Sequence, residues 1–193
     1  DYLLNRPFHD VDVATNALPS QVKEVFSNTV DVGIQHGTIL VLDAGEPIEV
    51  TTYRAESEYI DHRRPEQVFF VRNLDEDLKR RDFTINAIAM RSDGQLIDLF
   101  GGQQDLQANI IRAVGDSSER FQEDALRMLR AVRFQAQLGF VIEEATFRAI
   151  QKHAHLIEHI SVERIVQEFD KMFVSPYIHE AIRTIEFTPL ANY

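Results

Sequence analysis

Apolar and polar residues alternate in short blocks over the first 114 residues, and a helical period takes over after them. Val30 to Ile34 and Thr38 to Leu42 are β-branched runs separated by QHG, which predicts a hairpin. The turn DAGEP then leads into a third strand, Ile48 to Thr52. Ahead of these lies DVDVA, a strand pattern that directs Val11 and Val13 to the core and Asp10 and Asp12 to the opposite face. LPSQVKEVF predicts a short amphipathic helix with Pro19 in its first turn. Tyr53 to Gln67 is highly charged and nearly free of aliphatic residues, and reads as a mobile loop. LDEDLKRRDFTINAIAM reads as helix, break and strand, and QLIDLF, GGQQDLQA and NIIRAV as strand, short helix and strand.

After Gly115 the pattern is helical throughout. One helix is expected to run unbroken from a cap at Asp116, with Glu119 as capping-box partner, to a stop at Gly139. Three more follow, over about Glu143 to His155, Ser161 to Phe173 and Tyr177 to Phe187. The fold class is therefore α+β over residues 1–114 and all-α over 115–193.

Composition narrows the function. A net charge of −11 over 193 residues argues against a sequence-blind grip on nucleic acid by the whole surface, though not against a local basic site. No apolar run approaches the ~20 residues needed to span a bilayer, so no membrane partner is expected. Cysteine is absent, which excludes disulfides and thiolate zinc sites. That absence, and the lack of a leader, suit a cytoplasmic protein.

Two carboxylates on one strand face repel unless a cation sits between them. Hard divalent ions with oxygen ligands meet that need, and Glu49 in IEVTT offers a third carboxylate if its strand pairs with the opening one. A metal pair there would activate an attacking hydroxyl and stabilise a leaving phosphate. The plainer alternative makes Asp10 a turn residue and Asp12 a solvent-facing one.

The second candidate is FQEDALRMLRAVRFQAQLGF. Asp124, Arg127, Arg130 and Arg133 recur every third residue and would wind as a stripe along one helix, opposite Phe121, Ala125, Leu129, Val132 and Ala136. Asp124 accepts and Arg127 donates, a pair that complements the amino group and ring nitrogen of cytosine or adenine and opposes the carbonyl of guanine or uracil. The other arginines could hold triphosphate. The alternative is i,i+3 ion pairing on an exposed helix. Arg80, Arg81 and Asp82 form a third patch, with a basic helix end complementing the macrodipole as its alternative. His153, His155 and His159 lack the spacing of a metal site.

Taken together, HDVDVATNALPSQVKEVF, VDVGIQHGT, EVTTYR, DLKRRDFTINAIAM, DLFGG and RFQEDALRMLRAVRFQAQLGF resemble class II tRNA nucleotidyltransferases, the CCA-adding enzymes. Bacterial poly(A) polymerases share much of this pattern. The resemblance implies a polymerase-β-like nucleotidyltransferase head with a mixed sheet, over residues 1–114, followed by a helical neck that recognises the nucleobase, over 115–193. It implies catalytic roles for Asp10, Asp12 and Glu49, with Mg2+ on Asp10 and Asp12. It implies nucleotide contacts from Arg81, Asp82, Asp124, Arg127, Arg130 and Arg133, with Asp124 and Arg127 as the protein template. Asp98 to Gly102 resembles a head–neck hinge, and Glu58 to Pro65 the loop that accompanies the switch from C to A addition. The implied activity is addition of C, C and A to the tRNA 3′ end from CTP and ATP, with release of pyrophosphate. The family's Gly-Gly strand upstream of Asp1 and its body and tail domains beyond Tyr193 are missing, so a fragment of impaired activity is expected. The alternatives are poly(A) addition and a non-catalytic nucleotide-binding module.

Overall fold

The computed structural model describes residues 1–8, 11–43, 46–56, 59–60, 64–65 and 68–193. The chain divides into two compact units, Asp1–Ser57 with Gln67–Arg80, and Glu58–Glu66 with Arg81–Tyr193. The domain limit expected at Val114 thus falls inside the second unit.

The first unit is built on a mixed four-stranded sheet of order β1-β4-β3-β2. Its strands are β1 (Asp12–Thr15), β2 (Thr29–Gly33), β3 (Thr38–Asp43) and β4 (Glu46–Thr52). β2 and β3 form the expected hairpin, closed by Gly37 at φ 87°. β4 returns antiparallel to β3, and β1 joins the far side parallel to β4. Helix α1 (Pro19–Val25) begins at Pro19, with the Leu18 N–H donating to Gln21 Oε1 at 2.8 Å. It lays Val22 on Ile39, Val41 and Val50, which make this unit's core. The stretch expected to be a loop is instead paired. β5 (Arg54–Glu56) lies antiparallel to β8 (Val68–Phe70), and between them in the chain β6 (Tyr59–Ile60) pairs with β7 (Arg64–Pro65). The rest of the Glu58–Pro65 segment lies outside the described residues. Helix α2 (Leu74–Lys79) is capped by Asn73, whose Oδ1 accepts the Asp75 N–H at 3.0 Å.

Val11 and Val13 do not enter the core: they are 55% and 41% exposed. β1 is a sheet edge, and a seven-residue helix of about 10 Å cannot cover the whole sheet face. Val13, Val25, Phe26 and Ile48 instead line an open apolar cleft of about 620 Å³.

The second unit also holds a hairpin, β9 (Ile88–Met90) and β10 (Leu96–Asp98), and helix α3 (Gly102–Ala108). Asp98 accepts the Gly102 and Gln103 N–H groups at 2.8 Å each, which caps α3. Asp98 to Gly102, the segment expected as a hinge, leads into this helix. β11 (Ile110–Ile111) pairs parallel with β12 (Val141–Ile142), so the C-terminal part is not purely helical. Its helices are α4 (Ser117–Glu123), α5 (Leu126–Leu138), α6 (Glu144–His153), α7 (Val162–Phe173) and α8 (Ile178–Glu186). The Asp116 cap and the Gly139 stop, at φ 71°, are where the sequence places them. Between them the helix is broken. Asp124 is extended, at φ −134° and ψ 104°, because its Oδ1 takes the Leu126 N–H at 3.1 Å in a local turn that competes with the helix. Phe121, Ala125, Leu129, Val132 and Ala136 are all buried, as expected. Among the described residues no helix is long and apolar enough to cross a membrane.

Candidate functional site

In the first unit, Asp12 and Glu49 are paired partners in the parallel β1–β4 register. Neighbouring strands lie about 4.8 Å apart and paired residues share a face, so two carboxylates stand side by side. Both are exposed on the face opposite the Val22 core. Among the described residues neither is held by a hydrogen bond or an ion pair. Asp10, the third expected ligand, lies outside the described residues. Two hard, all-oxygen donors left with their mutual repulsion fit a divalent cation such as Mg2+. Among the described residues no three acidic or histidine side chains gather as a metal cluster, the three histidines of residues 153–159 included.

The RRD patch divides between the units. Arg80 pairs with the buried Asp77 at 2.7 Å, and its Nε donates to the Arg54 carbonyl at 3.2 Å. Arg81 Nη1 donates to the Asn86 carbonyl at 3.1 Å. Asp82 is buried, and its Oδ1 accepts from the Phe83 N–H at 2.8 Å and from Asn86 Nδ2 at 3.1 Å. Its Oδ2 receives Arg130 Nε at 2.7 Å and lies 2.6 Å from Arg130 Nη2. Burial pushes the Asp82 carboxyl up, but the Arg130 charge and the bonds from Asn86, Arg130 and Phe83 together hold it below its ordinary range.

The arginine stripe is no solvated face. Arg127 and Arg133 are buried, and only Arg130 keeps about a third of its side chain in solvent. Arg127 Nη1 meets Glu123 Oε2 at 2.5 Å and the Arg120 carbonyl at 3.1 Å. Arg133 Nε donates to the buried Glu168 at 2.6 Å and its Nη1 to Gln137 at 3.0 Å. Its guanidinium stacks 4.2 Å from the Phe134 ring centroid. Burial pulls the Arg133 guanidinium down, against the opposing charge of Glu168. The alternative of i,i+3 pairing on an exposed helix does not describe the stripe either: Arg127 is buried and pairs with Glu123 of α4, four residues back, while Arg130 and Arg133 make tertiary pairs.

Asp124 and Arg127 are not one turn apart on a helix, because Asp124 precedes α5. Each is held by a counter-charge the sequence reading missed. Arg164 Nη2 donates to Asp124 Oδ2 at 2.8 Å, and Glu123 holds Arg127. Arg164 and Glu168 lie four apart in SVERIVQEF, one face of α7, a spacing that could have disclosed both partners.

The family profile described as "Poly A polymerase head domain" matches residues 1–112, and one described as "Probable RNA and SrmB- binding site of polymerase A" matches residues 139–193. A CCA-adding enzyme of Latilactobacillus sakei is 58% identical over 193 residues, all of this chain and 49% of its own length. One of Streptococcus agalactiae is 55% identical over 193 residues, again all of this chain and 48% of its own. The crystal structure of the Bacillus stearothermophilus CCA-adding enzyme in complex with CTP superposes with a TM-score of 0.91 at 48% identity, covering 98% of this chain and 46% of that one. The chain thus spans about half the length of the curated relatives it matches. With a head-domain profile over more than half its length, it belongs to the tRNA nucleotidyltransferase/poly(A) polymerase family, and these relatives are CCA-adding enzymes.

Proposed function

We propose that this chain carries the catalytic head and the base-reading neck of an enzyme that adds C, C and A to the 3′ end of tRNA. The observation that carries the reading is the Asp12–Glu49 register, which stands two uncompensated carboxylates together on an open sheet face. Two CCA-adding relatives more than half identical to this chain, and a third, 48% identical and solved with CTP, support it.

In this reading Asp10 and Asp12 hold Mg2+, and Glu49 is the third acidic group of the site. When Mg2+ is bound, the site supplies activation of the attacking hydroxyl and charge neutralisation on the phosphates. The tRNA 3′ hydroxyl gives its proton to solvent as its oxygen bonds the α-phosphorus of CTP or ATP, and the bond from that phosphorus to the α–β bridging oxygen breaks to release pyrophosphate. Asp124 accepts a hydrogen bond from the base amino group and Arg127 donates to the ring nitrogen. Arg81, Asp82, Arg130 and Arg133 orient the nucleotide, directly or by fixing one another. The head is residues 1–114 and the neck 115–193, and the compartment is the cytoplasm.

The test is incorporation of labelled CTP and ATP into tRNA lacking its 3′ end, with Mg2+, by this chain and by a form extended at both ends. Three additions that stop support the reading, and a long A tail replaces it with poly(A) addition. Absence of any incorporation by the extended form leaves a nucleotide-binding module.

A further inference from the structure

We infer that Arg164 is a positioning residue for base selection, clamping the Asp124 carboxylate at the break between α4 and α5. The inference rests on the reading of Asp124 as the acceptor that meets the amino group of cytosine or adenine.

Asp124 is extended and stands outside both helices, so neither helix dictates where its carboxylate points. Two bonds do. Oδ1 accepts the Leu126 N–H at 3.1 Å, and Oδ2 accepts Arg164 Nη2 at 2.8 Å from 40 residues away. A carboxylate offers about four acceptor directions. With one bond on each oxygen the group is fixed, yet each oxygen keeps capacity for a further donor. The side chains of Asp124 and Arg164 are 17% and 30% exposed, so the clamp is open to solvent on one side.

The position of Arg164 is unfavourable for the helix that carries it. It is the third residue of α7, after the Ser161 cap, where a cation meets the positive end of the macrodipole. Asp124 supplies the opposing charge there. Nor is the pair needed to seat α7, because the buried Arg133–Glu168 bridge, at 2.6 Å, already ties α7 to α5.

A fixed acceptor admits an amino group and opposes a carbonyl. One free to rotate can swing away and let the carbonyl of uracil or guanine take its place. Loss of Arg164 should therefore relax discrimination while leaving nucleotide binding in place.

The test measures dissociation constants of CTP and UTP for the native chain, Arg164→Met and Arg164→Lys, with thermal midpoints alongside. Methionine keeps the aliphatic stem and removes the donors, whereas lysine restores one. Arg148→Ala, which breaks an exposed pair with Glu144, is the control. In Arg164→Met the UTP-to-CTP ratio is expected to fall about fivefold or more with CTP affinity within about threefold, the scale of one positioned hydrogen bond, and lysine to recover most of it. A native chain that discriminates, beside a methionine variant with the same ratio, overturns the inference and leaves the reading of Asp124 standing. Equal loss for both nucleotides without rescue by lysine overturns it too, as the mark of a strut. A native chain that binds CTP and UTP alike overturns the reading and the inference together.

Discussion

Arg130 Nη2 lies 2.6 Å from Asp82 Oδ2, joining a helix to a turn 48 residues earlier in the chain. The sequence offers both residues as nucleotide ligands, and the fold makes them each other's partners. The buried member sets a pH dependence. Asp82 is held below its ordinary range, and the bonds made by Asp98 and Glu143 likewise outweigh their burial. A carboxyl lowered in the folded state stabilises it fully above the unfolded value, about 3.9 for Asp and 4.3 for Glu, and loses that stabilisation as pH falls through the folded value. The urea midpoint should therefore decline with acid below about pH 4, where those unfolded values lie. Asp82→Asn should lower stability at pH 7 by about 1–3 kcal/mol, because Arg130 loses its counter-charge, and make the acid decline shallower. An unchanged acid slope in that variant would exclude Asp82 as a source of it.

Asp12 and Glu49 set stability against function. Side by side on an open sheet they repel, so Asp12→Asn should raise the melting temperature of the metal-free chain, by about 1 °C for a few tenths of a kcal/mol. Under the proposed metal role Mg2+ should raise the native melting temperature, and the same change should abolish that rise together with nucleotide incorporation by the extended form. Thermal melts with and without Mg2+ decide it. A variant that still gains stability from Mg2+ to the native extent would place the ion elsewhere.

The legible parts of this fold are those governed by neighbours in sequence. The β2–β3 hairpin, the proline-started α1, the Asp116 cap and the Gly139 stop follow from turn residues, capping and periodicity, and each stands where those rules put it. The misses come from competition and from distance. Asp124 reads as one more member of a helical stripe, but its short side chain bonds its own backbone and breaks the helix. Val13 alternates correctly and still stays exposed, because coverage depends on α1 being long enough and not on alternation. The partners of Asp124 and Arg133 come from 40 and 35 residues away, and only the i,i+4 spacing of Arg164 and Glu168 hints at them. At the candidate site the residue types were readable, the β1–β4 pairing entered only as a condition, and the charges that hold those residues were missed.

Two glycines separate sterics from backbone conformation. A Cβ on Gly102 would lie 2.2 Å from the Thr84 carbonyl oxygen and 2.8 Å from Ile88 Cγ1. Backbone cannot yield as a side-chain tip can, and Thr84 is further pinned by its hydroxyl, which donates to Asp105 at 2.6 Å. Gly102→Ala should cost about 3 kcal/mol, the upper end of the overpacking range. Gly94, at φ 83°, has no atom within 4 Å of such a Cβ, so Gly94→Ala should cost only about 1 kcal/mol, for the left-handed backbone. Chemical denaturation of both variants checks the order, and equal costs would contradict the close approach at Gly102.

Exchanging Asp124 and Arg127 is the direct way to ask whether this pair reads the base, and their partners dictate how it must be done. Arginine at position 124 would face Arg164, and aspartate at 127 would face Glu123, so one exchange makes two like-charge contacts. The cost should be on the order of 3 kcal/mol, since each partner is left partly buried beside its own sign. A lost preference for cytosine in that double variant would then report a damaged fold as much as a changed template. Adding Arg164→Glu and Glu123→Gln removes both like-charge contacts without setting a cation against Arg120, which also pairs with Glu123, and should recover most of the lost stability. In that four-way variant, a shift of preference from CTP and ATP toward UTP and GTP is expected, because donor and acceptor have changed places. Recovered stability with the native preference intact would move base selection away from Asp124 and Arg127.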